Sequence, residues 1–324
     1  MATTRSWRAA PLVTGPQRAR LDDIPALNVV FSEAFSERYR RDGMVGVRVP
    51  YLNPAIWRYA IEDADGGAML WRDERGEVAA FNMVHRSGTE GWMGPLAVRS
   101  DCQGQGTGKE VVTSGVSWLR EQQCRVIGLE TMPRTMDNIG FYSRLGFVPG
   151  RLTITLTLDA ASAERAPELL GRLPSRDKEG AIAECQRLVE ALAPGYDYTR
   201  EITLTDDLAL GDTVLVRRGG TLVGFALCHT VPLVEGRARE ELRVLKLVLA
   251  DEADFEPMLV ALCDFARRSG TRRIAVRTQG NYPAAYRTMV SLGARVRWTD
   301  LRMSLDGYDE PRPARGIVLS NWEI

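Results

Sequence analysis

Apolar and polar positions alternate along the chain with two periods, and the switches between them outline the elements. From 18 to 41, Leu21, Ile24, Leu27, Val30, Phe31, Ala34 and Phe35 recur at helical spacing with charges on the opposite face, which predicts a first helix. Asp42-Gly43 ends it, and Asn53-Pro54 opens a second helix through Ile61, because proline is tolerated at a first helical position. Runs at 67–72, 78–86 and 92–98 are strand-like and separated by hairpin-length turns, so they should be antiparallel neighbours. A helix over 108–123 followed by an apolar run at 126–130 makes a crossover that lays the new strand parallel to 93–98. The run 147–158, with Leu152, Ile154, Leu156 and Leu158 alternating, is expected to close the sheet of this first unit.

The same order then recurs. After a polar connector at 160–176 come a helix at 181–192, strands at 213–217, 222–230 and 242–249, a helix at 257–268, a strand at 273–278, a helix at 283–292 and a strand at 295–305. This predicts an α/β fold with a mixed sheet, written twice in tandem: one domain over 1–158, a linker over 159–176 and a second domain over 177–324. A length of 324 residues suits two domains of about 150.

Charge and composition remove several function classes. Lys+Arg and Asp+Glu number 42 each, so a zero net charge implies neither a nucleic acid nor an acidic membrane as partner. No apolar run approaches the roughly 18 residues of a membrane span, and residues 1–15 lack the apolar core of a secretory signal. The five cysteines are scattered without CxxC spacing, which suggests reduced thiols and a cytoplasmic location. Two histidines and no Cys/His cluster argue against a metal.

The chemistry concentrates between Met93 and Phe147. An apolar strand is followed by Gln103-Gly104-Gln105-Gly106-Thr107-Gly108 and then a helix, so alternate glycines free the backbone N–H groups beside a helix end carrying about half a positive charge. That suits a pyrophosphate. A P-loop does not fit, because Lys109 is followed by Glu110, and a dinucleotide fingerprint does not fit, because its third glycine would fall on Lys109. Gln-x-x-Gly-x-Gly does fit, and it resembles the acetyl-CoA loop of the GNAT superfamily of N-acetyltransferases. A second stretch, Asn138-Ile139-Gly140-Phe141-Tyr142-Ser143-Arg144-Leu145-Gly146-Phe147, resembles the second signature of that family in order and spacing.

The resemblance implies roles for particular residues. Gln103, Gly104, Gln105, Gly106, Thr107, Gly108 and Lys109 would hold the pyrophosphate of acetyl-CoA as cosubstrate, although Lys109 reads equally as a solvated charge at the helix start. The backbone of Leu96, Ala97 and Val98 would pair with the pantetheine arm, and Asn138 would touch the cofactor. Tyr142 would protonate the leaving thiolate; the competing interpretation is a tyrosine packed in the core. Tyr39, Tyr51 and Trp57, on a helix–loop–helix that also reads as core, would line the acceptor pocket, together with Trp92, which reads also as a residue that simply fills core.

The base is less defined. Trp92 stands where some members carry a strand glutamate, leaving Glu90, two residues earlier, as an acceptor or as a solvated surface group. The tandem arrangement also resembles proteins of the enhanced-intracellular-survival type, which use their terminal carboxylate, and this gives Ile324, or Glu323 beside it, the same candidacy. In the second unit Asp254 falls opposite Gln103, Pro257 opposite Gly106 and Met289 opposite Tyr142, so that copy looks degenerate, a structural half or a wall of the first copy's pocket. The implied activity is an acyltransferase moving acetyl to a primary amine of a small molecule or peptide; the alternative is a non-catalytic acetyl-CoA sensor or scaffold. A homodimer is compatible with either.

Overall fold

The computed structural model describes residues 12–322. Its first half contains β1 (Val13–Arg18), α1 (Ile24–Arg41), α2 (Pro54–Ala64), β2 (Ala68–Asp73), β3 (Val78–Ser87), β4 (Glu90–Val98), α3 (Thr107–Glu121), β5 (Val126–Thr131), α4 (Met136–Ser143) and β6 (Phe147–Asp159). The second contains β7 (Glu168–Leu169), α5 (Ser175–Leu192), α6 (Thr199–Asp207), β8 (Gly211–Arg218), β9 (Thr221–His229), β10 (Glu241–Leu249), α7 (Phe255–Arg268), β11 (Arg273–Gln279), α8 (Pro283–Ser291), β12 (Arg295–Leu305) and β13 (Ile317–Ser320). The tandem α/β reading holds.

All thirteen strands form one mixed sheet, in the order β1-β2-β3-β4-β5-β12-β6-β11-β10-β9-β8-β7, with β13 added to β10. The centre of that order departs from expectation. The strand β6 does not close the first half's sheet against β5. It lies between β12 and β11, pairing Thr153 with Asp300 on one side and with Gln279 on the other, while β12 takes the place beside β5 with Leu301 opposite Thr131. The two halves thus exchange their last long strands. Alternating apolar residues specify that a segment is a strand but not which edge it joins, so the exchange was invisible in the pattern.

Helices cover both faces. The apolar stripes of α1 and α2 pack on β2 and β3 through Leu27, Phe31, Trp57 and Phe81. Asn53 starts α2 by accepting the Ala55 amide at 3.0 Å, satisfying one of the unpaired N–H groups of a helix start. On the opposite face α3 presents Val112, Val116 and Leu119 to Val84, Met93 and Ile127, joined by Tyr142 and Phe147. The second half has its own cores, one around α7 and α8 and one around α5 and α6. Among the described residues no helix is long and apolar enough to cross a membrane. The five cysteines are buried and unpaired.

Candidate functional site

The glycine loop has the geometry its spacing suggests. Gly104 and Gly106 take φ of +79° and +94°, a region open mainly to glycine, and a Cβ built on either would meet nothing within 4 Å. Gly106 is the N-cap of α3, so the first amides of that helix face the open side of the loop without intrahelical partners. Gln103 braces the turn by donating from Nε2 to the Val98 carbonyl at 2.8 Å.

Next to the loop the sheet opens. The parallel pairing of β4 with β5 runs from Glu90–Val126 to Met93–Leu129 and stops there. On its other edge β4 stays paired with β3, Leu96 against Asn82 and Val98 against Ala80, with one extra residue on β4 between Met93 and Leu96. The β5-facing backbone of Leu96, Ala97 and Val98 therefore borders a gap. A cavity of about 520 Å³ fills it, lined by those three residues, by Gln103, Gly104, Gly106, Gly108 and Lys109, and by Asn138 and Tyr142 across the gap. Of the predicted cofactor residues, Gln105 and Thr107 do not line it. The Gln105 amide turns back to the Asp101 carbonyl at 3.3 Å, and Thr107 is buried at the start of α3.

Tyr142 reaches this cavity from α4 and is 6% exposed. Burial pushes its phenol well above the ordinary value, so the side chain stays a protonated donor. Two basic residues at the mouth escaped sequence analysis: Arg38 and Arg41, in the last turn of α1. Arg38 pairs with Asp42 at 2.5 Å, and Arg41 with Glu37 at 2.9 Å. Their signal was the Arg38-Tyr39-Arg40-Arg41 run, which reads equally as a charged helix end.

The acetyltransferase (GNAT) family matches residues 31–147, the segment that builds this loop, gap and tyrosine. Those residues belong to the GNAT acetyltransferase family. None of the curated proteins matches the sequence. Among solved structures, a putative acetyltransferase from Pyrococcus horikoshii superposes with a TM-score of 0.64 at 15% identity, covering 94% of this chain and 92% of that one. A tandem GNAT protein from the clavulanic acid biosynthesis pathway gives 0.58 at 10% identity, with 90% and 98% covered. Saccharomyces cerevisiae N-myristoyltransferase, solved with myristoyl-CoA, gives 0.58 at 11% identity, with 92% and 79% covered. At these identities the likeness is one of fold, and it extends over both halves.

A second cavity, about 420 Å³, opens from the GNAT gap toward the second half. Phe31, Phe35, Tyr39, Trp92, Trp298 and Trp322 supply its aromatic walls. Of the residues expected at an acceptor pocket, Tyr39 and Trp92 line this cavity. Trp57 does not: it is fully buried in the core and donates to Asn28 Oδ1 at 2.7 Å, because its face of α2 turns to the sheet. Tyr51 is exposed and lines neither cavity.

Glu90 is not a solvated surface group. It has no exposed area, lines neither cavity, and accepts from Trp92 Nε1 at 3.0 Å, Ser320 Oγ at 2.8 Å and Tyr198 Oη at 3.3 Å. The second half packs over it, which the first half's pattern alone could not reveal. Glu323 and Ile324 lie outside the described residues. Trp322, just before them, packs 5.3 Å from the Trp92 ring, and Lys246 Nζ sits 3.9 Å over it.

The two cavities meet at Phe35, Met93, Gly94, Pro95, Glu130 and Asp300. A polar knot closes this junction. Glu130 accepts from Thr153 Oγ1 at 2.5 Å and from Arg277, and Arg277 also donates to Asp300 Oδ2 at 2.9 Å. Burial disfavours the charge on Glu130, yet Arg277 and Arg302 outweigh it and hold the carboxyl below its usual range. No metal-binding cluster of three or more His, Cys, Asp or Glu occurs among the described residues.

Proposed function

We propose that the chain transfers an acetyl group from acetyl-CoA to the primary amine of an apolar or aromatic small molecule or peptide. The observation that carries this reading is the unpaired edge of β4, which runs from the glycine loop to Tyr142 within one continuous cavity. A pantetheine arm would add to that edge like a strand, its diphosphate resting on the first turn of α3. The family's amine chemistry needs an acid for the thiolate, and Tyr142 is the protonated donor in the gap.

A short acyl group is favoured by the end of the gap, where Glu130, Arg277 and Asp300 would have to be desolvated against a long alkyl chain. The aromatic walls of the second cavity suit an amine carried on an apolar body. The purified chain, acetyl-CoA and a panel of arylalkylamines, polyamines, aminoglycosides, amino acids and peptide N-termini form the test, with free thiol as the readout. Amine-dependent thiol release is expected, strongest for amines with apolar bodies. Acetyl-CoA binding without release on any amine would return the chain to a sensor or scaffold role.

A further inference from the structure

If the chain acetylates an amine, an ammonium entering the second cavity must lose a proton where it meets the thioester, at the junction of the two cavities. Six residues line both, and only Glu130 and Asp300 among them titrate. Glu130 is committed to Thr153 and Arg277, with Arg302 Nε 3.5 Å away, and so is held as a weakly basic carboxylate. Asp300 differs. It receives one donor on each oxygen, Trp298 Nε1 at 3.0 Å and Arg277 Nη2 at 2.9 Å, and a carboxylate has about four lone-pair sites, so two remain for a substrate N–H.

We propose that Asp300, carried into the first copy's site by the exchanged strand β12 of the second copy, is the catalytic proton acceptor. This proposal rests on the acetyltransferase reading above. The strand exchange is what makes the position available. Asp300 lies on β12 opposite Thr153 of β6, next to the β5 edge from which Glu130 projects. With Leu292-Gly293 taken as the counterpart of Leu145-Gly146, Asp300 is the counterpart of Thr153 and Arg277 of Glu130. The degenerate copy thus places an acid where the intact copy has a hydroxyl, and an arginine where it has an acid.

The titration of Asp300 suits the task. Burial raises its carboxyl to about 6, Arg277 opposes the rise and the Glu130 charge adds to it. The groups facing it are Arg277 from β11, Glu130 from β5 and Tyr39 from α1, whose phenol burial and the Asp300 charge push upward. Ionised Asp300 takes one proton from R–NH3+, leaving R–NH2, whose lone pair forms the N–C bond at the thioester carbon. As the C–S bond breaks, Tyr142 gives its proton to the sulfur and recovers the second one from the nitrogen. The products are the amide and the free thiol, with one proton released from Asp300 to solvent.

The experiment follows kcat/KM against pH for the full chain and for Asp300→Asn, Asp300→Glu and Arg277→Gln, with acetyl-CoA affinity measured by calorimetry for each. Activity should rise with pH through about 6 in the unaltered chain, because the acceptor works only when ionised. Asp300→Asn should lower kcat/KM by about a hundredfold and abolish that limb, with acetyl-CoA affinity within a few fold. Asp300→Glu should restore part of the rate. Arg277→Gln should move the limb upward, since its charge holds Asp300 down. An Asp300→Asn protein that keeps its rate and its limb would overturn the assignment while leaving acetyl transfer intact, and so would a limb unmoved in Arg277→Gln. No transfer by the unaltered chain to any amine would overturn the acetyltransferase reading and this proposal together.

Discussion

The two halves carry the same gap in their sheets, and they treat it in opposite ways. In the first, β4 parts from β5 after Met93, and the edge of Leu96–Val98 is left bordering a cavity. In the second, β10 parts from β11 after Val244, and the next residues are taken at once by the chain's own β13: Lys246 opposite Ser320, Leu247 opposite Leu319, Val248 opposite Val318, Leu249 opposite Ile317. Gly316 permits that entry, since at φ +69° a Cβ there would lie 2.2 Å from the Leu249 carbonyl. The helix starts differ too. The turn before α7 has no glycine, Asp254 is buried and paired with Arg218, and Pro257 removes an amide in the first turn. An exposed strand edge needs a partner. One half leaves that edge open beside a cavity, and the other supplies a partner from the same chain.

The contrast breaks most completely at the loop. Gly106→Asp should abolish acetyl-CoA binding, because the new carboxylate would enter open space beside the diphosphate and force a strained φ on a residue with a Cβ. Calorimetry on the unaltered chain should give one acetyl-CoA per chain. Two equal sites, or undiminished affinity in the variant, would sink the division into an open and a filled half. Next in size, Tyr142→Phe should lower turnover about a hundredfold with cofactor affinity nearly intact, since it removes one proton and little volume. Full turnover would make Tyr142 a packing residue.

Met289, the counterpart of Tyr142, sharpens the comparison from the other side. It is fully buried in the core beside α7, so Met289→Ala should cost about 2–4 kcal/mol of stability, read by denaturant unfolding, with turnover of the folded fraction unchanged. A loss of turnover like that of Tyr142→Phe would mean that the second half has an active site of its own.

Much of this was legible in the sequence because it is local. Glycine spacing, the Tyr-x-x-Leu-Gly-Phe order and the periodicity of α3 and α7 are set by neighbours a few residues apart. What was hidden depends on contacts between segments far apart in the sequence, several of them from different halves. Glu90 looked solvated until Tyr198 and Ser320 covered it, and Trp57 looked like a rim residue until Asn28 engaged its indole. Asp300 carries no sequence signal because its copy lacks both signatures, and only the pairing of β12 with β5 brings it to the junction.

The smallest effect is expected at the tail. Removing Trp322 to Ile324 takes away an indole that lines the second cavity and packs against Trp92 and Lys246, but it leaves β13 in the second half's gap and the Glu130–Arg277–Asp300 knot untouched. The tail then matters mainly as a wall. The KM for the amine should rise about three- to tenfold, with kcat and acetyl-CoA affinity nearly constant, as for a lost uniform binding contact. A terminal carboxylate acting as the base predicts something else: kcat should fall about as far as in Asp300→Asn, and the acid limb of the profile should change with it. Comparing the truncated chain with Asp300→Asn in one pH series separates the two acceptors, because a wall shifts KM at every pH, whereas a base moves the limb itself.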